Sequence, residues 1–159
     1  MENKQYKDNM NKTEQIIKRS VDFVIAACCL IFFSPLAIAC AIAIRLEDGL
    51  PVIYRQERIG LHGKPFFIYK FRSMKIDAEK DGPDLLEIKG DPRLTKVGRF
   101  LRMHHLDELP QLWNVFKGDM AFVGPRPERK YYIDQIMEHD PRYTYLYQIR
   151  PGVTSYATL

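Results

Sequence analysis

In the stretch LDELPQLWNV (106–115), Asp107 and Glu108 set two carboxylates side by side just before Pro110. Proline has no N–H and fits a helix only in its first turn, so the spacing predicts a helix beginning near Asp107. Carboxylates placed there meet free N–H groups and the positive end of the helix dipole. A second stretch, GDMAFVGPRP (118–127), reads as a loop in which Pro125 and Pro127 hold Arg126 extended, with little entropy left to lose. An arginine presented in this way suits bidentate contact with a phosphate. Taken singly, each motif has a plainer reading: capping for the acidic pair, a surface turn for the arginine.

Other elements must position these groups. Val97, Phe100, Leu101 and His104 recur at helical spacing, with Lys96, Arg99 and Arg102 making a basic side. PVIYRQERIG and PFFIYKFRSM flank the turn LHGK, and Phe67, Tyr69 and Phe71 alternate with Ile68, Lys70 and Arg72. That alternation predicts a β-hairpin, close to a membrane. Between hairpin and helix, Lys75 to Pro92 carries Asp81-Gly82-Pro83 and Gly90-Asp91-Pro92 and reads as a polar loop.

The N-terminal part is of another kind. Residues 1–12 are polar and expected to fray, and Asn11 with Glu14 makes a capping-box pattern that starts a helix around Lys12. Phe23 to Ile44 then carries no charge. About 22 residues at ~1.5 Å each reach ~33 Å, enough to cross a bilayer core. Ser34–Pro35 interrupts the run: proline in a helix costs ~3 kcal/mol, and a serine hydroxyl can serve the carbonyls it frees. Broken there, each arm of about 11–12 residues reaches ~17 Å, to the midplane and back. Lys18 and Arg19 before the run, and Arg45, Arg55 and Arg58 after it, favour keeping both ends on the cytoplasmic side. From residues alone, a re-entrant helix and a kinked complete span both stand. A cleaved signal peptide is disfavoured despite the cleavage-like Ala37-Ile-Ala39, because the apolar region exceeds an ordinary h-region.

The 159 residues suffice for one domain with a modest core, and the net charge of +4 suits an anionic membrane surface, phosphorylated substrates or nucleic acid without separating them. Cys28, Cys29 and Cys40 all fall in the apolar run and read as buried small hydrophobes, against a disulfide or zinc framework. His62, His104, His105 and His139 show no ligand spacing.

Taken together, Ser34–Pro35, YKFRSM (69–74), LDELPQLWNV, GDMAFVGPRP and RPGVT (150–154) resemble the bacterial sugar transferase family, the monotopic polyprenyl-phosphate phosphoglycosyl transferases. The resemblance runs from about Lys18 to Thr154, and its motifs fall in the family's order. It implies an α+β fold: a re-entrant membrane helix broken at Ser34–Pro35 in residues 1–48, then a compact interfacial catalytic domain of short helices and a β-hairpin in 49–159. It implies transfer of a sugar 1-phosphate from a nucleotide-diphosphate sugar, usually a UDP-sugar, to undecaprenyl phosphate, with UMP leaving. The reaction would begin assembly of a capsule, O-antigen, exopolysaccharide or glycoprotein glycan on the cytoplasmic face of the bacterial inner membrane, feeding downstream glycosyltransferases.

By the same resemblance, Asp107 is the nucleophile on the β-phosphorus. Mg²⁺ is held by Asp107 and Glu108 on the diphosphate, with Glu108 also able to take a proton from the lipid phosphate. Arg102, Arg126, Lys70 and Arg72 stabilise phosphate oxygens, although Lys70 and Arg72 could instead anchor the hairpin to anionic headgroups. The pattern departs from the family after RPGVT, where Ser155-Tyr156 stand for a glycine followed by Trp or Leu. A C-terminal portion of the family is therefore expected to be missing, and without the large N-terminal multispan regions of some relatives the chain is expected to be the small form. Two other classes compete. A non-catalytic interface module would use Lys18, Arg19, Lys70, Arg72 and Arg126 to hold anionic lipid or a partner, but gains nothing from two carboxylates among its arginines. A nucleic-acid binder would use Tyr54, Phe67, Tyr69 and Phe71 beside basic residues, and the apolar N-terminal run argues against it.

Overall fold

The computed structural model describes residues 10–76, 78 and 91–155. Residues 1–9 of the start expected to fray (1–12), most of the polar loop (77 and 79–90) and residues 156–159 lie outside the described residues.

Helix α1 is Lys12–Phe32. Its start is the reciprocal cap read from the sequence: the Glu14 amide donates to Asn11 Oδ1 at 2.9 Å, and the Asn11 amide donates to Glu14 Oε2 at 2.8 Å. This satisfies two donors that no preceding turn could serve. The helix breaks at Phe33 (φ −87°, ψ 0°), and α2 follows as Ser34–Asp48 with Pro35 in its first turn. The missing proline N–H therefore falls where a helix has no partner for it. Among the described residues no single helix is long and apolar enough to cross a membrane; α1 and α2 together meet that test, bent by 59°. Ile31, Phe32, Ile38 and Leu46 are exposed along the pair. Cys28 is exposed too, against the expected burial of all three thiols; Cys29 is half-buried and Cys40 is buried.

Strands β1 (Ile53–Ile59) and β2 (Pro65–Phe71) form the expected hairpin around a short 3₁₀ turn, Leu61–Gly63. The Gly60 amide donates to Lys64 O at 2.9 Å and closes it. Helix α3 is Lys96–Met103. Thr95 Oγ1 accepts from the Gly98 amide, while the Glu47 carboxylate, at the end of α2, accepts from the amides of Lys96 and Val97, each at 2.8 Å. Three of the four orphan donors at this helix start are thereby served.

Two expectations are corrected. No helix begins at Asp107: Leu106–Glu108 is a separate 3₁₀ turn, and the following helix, α4, is Gln111–Lys117. The stretch 118–127 is not all loop either. Ala121–Val123 is a strand, β3, which pairs in parallel with β4, Gly152–Thr154, in the register Ala121–Gly152 and Val123–Thr154. Between them lie α5 (Lys130–His139) and a 3₁₀ segment, Pro141–Gln148.

The chain forms two compact units, and each is drawn from separated stretches. One takes Met1–Ile31, Gln56–Ile68 and Gln111–Leu159; Ala26, Ile68, Val115 and Met120 are its buried cluster, with Phe66, Phe116, Phe122 and Val153 against it. In this unit Arg19 donates to Val115 O and Phe116 O, both at 2.7 Å, and so closes the C-terminus of α4. Phe116 stacks on Phe23 and on Trp113, with ring centroids 4.7 and 5.3 Å apart. The other unit takes Phe32–Arg55 and Tyr69–Pro110, around Cys40, Ile44, Phe71 and Leu101, with Val97, Leu106 and Leu109 packed on them.

Candidate active site

The acidic pair owes its placement to the residue before it. Helix α3 ends at Met103, and His105 takes the left-handed conformation (φ 55°, ψ 20°). The turn is then closed by the Glu108 amide on His105 O at 3.3 Å and the Leu109 amide on Leu106 O at 3.2 Å. Residues three apart in a 3₁₀ turn eclipse one another. Leu106 and Leu109 thus enter the same apolar cluster, and Asp107, between them, is left only 7% exposed.

A buried carboxylate lacks water to stabilise its charge. Burial pushes the Asp107 carboxyl above its ordinary value; the charge of Lys70 opposes the rise, Glu108 adds to it, and Arg102 opposes it. The neighbouring Glu108 is neutralised directly, with Lys70 Nζ donating to Oε1 at 2.8 Å. The lysine comes from β2, so the hairpin brings one cation to the pair and α3 brings another in Arg102. Arg102 donates through Nε to Ser73 Oγ at 2.9 Å.

Arg72 occupies a different position from its strand neighbours. It is 7% exposed, and Nη2 donates to Asp48 O at 2.8 Å and Gly49 O at 3.1 Å. Nη2 also lies 3.1 Å from Asp48 Oδ2. This guanidinium ties the end of α2 to the end of β2, and its Nε and Nη1 are buried without a hydrogen-bond partner. Arg126 belongs to the other unit. Its side chain is 60% exposed, with Nε 3.7 Å from Glu128 Oε1. Ser34 and Pro35 share the unit of Asp107, at the start of α2. Sequence reasoning passed over Ser73, whose only signal was its place in YKFRSM beside Lys70 and Arg72, already singled out.

A magnesium ion fits this donor set in one form only. Among the described residues no group of three or more His, Cys, Asp or Glu side chains converges, so no all-protein cage is present. Mg²⁺ is commonly held by one or two carboxylates plus substrate phosphates. Asp107 and Glu108 supply that number, and their mutual repulsion is what a shared cation relieves.

The family model described as bacterial sugar transferase matches residues 13–159. A UDP-N-acetylgalactosamine-undecaprenyl-phosphate N-acetylgalactosaminephosphotransferase of Aeromonas hydrophila is 43% identical over 141 residues, covering 89% of this chain and 33% of the relative. A UDP-glucose:undecaprenyl-phosphate glucose-1-phosphate transferase of Caulobacter vibrioides is 47% identical over 141 residues, 88% of this chain and 52% of the relative. An undecaprenyl-phosphate galactose phosphotransferase of Salmonella typhimurium is 40% identical over 161 residues, 90% of this chain and 32% of the relative. The chain spans from a third to a half of the length of these relatives.

Proposed function

The chain belongs to the bacterial sugar transferase family, and on that footing we propose that it moves a sugar 1-phosphate from a UDP-sugar to undecaprenyl phosphate and releases UMP. Three relatives named for the same acceptor carry three different sugars, so the proposal is made for the reaction and not for one donor. The observation that carries it is Asp107: a carboxylate 7% exposed, raised by burial, and set among Lys70, Glu108 and Arg102.

The steps balance on these residues. An Asp107 carboxylate oxygen attacks the β-phosphorus of the donor, and the bond from that phosphorus to the bridging oxygen breaks, leaving with UMP. The aspartyl phosphosugar so formed is then attacked at phosphorus by an oxygen of undecaprenyl phosphate. The acyl phosphate bond breaks, the carboxylate is restored, and a diphosphate-linked sugar stays in the membrane. Desolvation favours attack because Asp107, 7% exposed, has little hydration shell to shed. Arg102 stabilises charge on the transferring phosphoryl group. Lys70 holds Glu108 ready to take a proton or to share a cation. Mg²⁺ bound by Asp107, Glu108 and the diphosphate would neutralise charge on the phosphate oxygens. Arg126 is proposed to hold a phosphate of the donor.

The acceptor is a lipid and the donor a soluble anion, so the site must lie at a membrane surface on the side where nucleotide sugars are made. A helix pair that enters and leaves on one face meets this need, and we propose that α1 and α2 do so in the inner membrane, with the rest of the chain cytoplasmic. The test is UMP release from a panel of UDP-sugars by protein in lipid with Mg²⁺ and undecaprenyl phosphate. Intact-mass measurement without acceptor accompanies it. One donor should support release and add one sugar phosphate to the protein, and Asp107→Asn should lose both. Silence across the panel would instead leave a non-catalytic interface module.

A further inference from the structure

Strand β2 ends at Phe71, and the chain runs on through Arg72 to Ser73, which is 6% exposed. Its hydroxyl oxygen accepts from Arg102 Nε at 2.9 Å, across 29 residues of chain. Its carbonyl accepts from the Thr95 amide at 3.1 Å, at the capping residue of α3. The helix lies so close that a Cβ on Gly98 would stand 2.6 Å from Ser73 Cα and overlap the Ser73 carbonyl. Ser73 therefore meets α3 at its first turn through the backbone and at its last turn through the side chain. Arg102, five residues before Asp107, is the side chain so held.

We propose that Ser73 is a positioning residue. Its hydroxyl fixes the Nε edge of Arg102 so that the outer guanidinium nitrogens are directed to the phosphoryl group at Asp107, and Gly98 is the close approach that makes this contact possible. This rests on the reading of Asp107 as the reacting group. An arginine side chain has several rotatable bonds, and ordering it is costly in entropy. A buried acceptor on Nε meets that cost before substrate arrives, which is what preorganisation of a charge-stabilising group requires.

Two measurements test it on full-length protein in lipid nanodiscs. The first is a double-mutant cycle on kcat/KM for UMP release, with Ser73→Ala, Arg102→Ala and the pair. A charge-assisted hydrogen bond of this kind carries about tenfold, so Ser73→Ala should lose about tenfold and add nothing once Arg102 is alanine. The second is the arginine Nε–H resonance that Arg102→Lys removes; it should be protected from exchange in the wild type and lose that protection in Ser73→Ala.

A Ser73→Ala protein as active as wild type, or losses that multiply in the pair, would overturn the assignment. So would an unchanged Nε–H signal. Should the wild type release no UMP from any donor, the proposed reaction falls, while the resonance still decides whether Ser73 holds Arg102.

Discussion

Lys70 Nζ lies 2.8 Å from Glu108 Oε1, so the carboxylate beside buried Asp107 is neutralised by a cation from the hairpin. Both partners are about a quarter exposed, at 23% and 27% of their side chains, a setting in which an ion pair contributes ~1 kcal/mol or less to stability. Its effect on the site is larger, because Lys70 is also the main charge opposing the rise of Asp107. Lys70→Met should therefore change the melting temperature by no more than about 4 °C while lowering UMP release by roughly 100-fold. Equal and large losses in both would assign Lys70 to the fold instead.

Asp107 gives a pH prediction with a fixed sign. A value raised in the folded state means that the folded protein holds the proton more tightly than the unfolded chain. Stability then falls as pH climbs from the ordinary aspartate value through the raised one, and is level above it. Asp107→Asn removes the cost, so at pH 7 it should melt about 2–4 °C above wild type. The two curves should meet at a pH below the usual aspartate range. An asparagine variant that melts below wild type at pH 7 would show that the carboxylate is held for structure.

Gly98→Ala is expected to be far more severe than a helix propensity scale suggests. Alanine suits a helix better than glycine by ~1 kcal/mol, but here the added carbon meets the Ser73 backbone, which is not a flexible side chain. Overpacking of this sort costs ~1–3 kcal/mol. Thermal unfolding should shift down by several degrees, about 4 °C or more, and UMP release should fall with it. A variant stabilised by the change would mean that α3 moves away from Ser73 at no cost.

Arg19 closes the C-terminus of α4 from 96 and 97 residues away, with two hydrogen bonds of 2.7 Å and its guanidinium 5.7 Å from the Phe23 ring centre. Gly118, at φ +95°, leaves room for it: a Cβ there would stand 3.1 Å from Arg19 Nη2. Arg19→Ala should cost about 2 kcal/mol, read as a lower denaturation midpoint. Arg19→Lys should recover little, since a point charge cannot serve two carbonyls in fork geometry. Full recovery by lysine would reduce the interaction to charge alone.

Pro35→Ala permits the helix to run on through the Phe33 break. With the native cysteines replaced and single cysteines placed at Met10 and Gly49, both positions should label from the same side in the wild type. In the alanine variant a fraction should label from opposite sides. Opposite-side labelling of the wild type would replace the re-entrant reading with a complete span.

The parts of this fold legible in the sequence are those whose causes are local. Asn11 and Glu14 reach each other across one turn, Pro35 breaks a helix by its own chemistry, and the alternation from Phe67 to Arg72 marks a strand wherever it lies. The acidic pair was legible as residues but misplaced as structure, because Pro110 signals a helix start without saying which turn it begins. What moved the pair onto a 3₁₀ turn was a left-handed His105, a conformation that histidine adopts more often than most residues but still only in a minority of cases. Contacts across long separations left no periodic trace: Ser73 with Arg102, Arg19 with α4, and two three-residue strands pairing in parallel, one of them inside a stretch that reads as a loop. Arg72 shows the same limit: nothing in YKFRSM marks that its guanidinium meets two carbonyls at the end of α2, while Lys70, two residues before it, meets Glu108.

The interleaving of the two units has a consequence for how such a protein changes over evolutionary time. The chain passes from one unit to the other four times, at Ile31/Phe32, Arg55/Gln56, Ile68/Tyr69 and Pro110/Gln111. No single crossover between two related genes can exchange one unit whole. A recombinant joined anywhere inside these boundaries carries a core assembled from two parents, and must repack Ile68 against Val115 or Phe71 against Leu101 in the same event. Chimeras between relatives should therefore survive chiefly where both parents share those core residues.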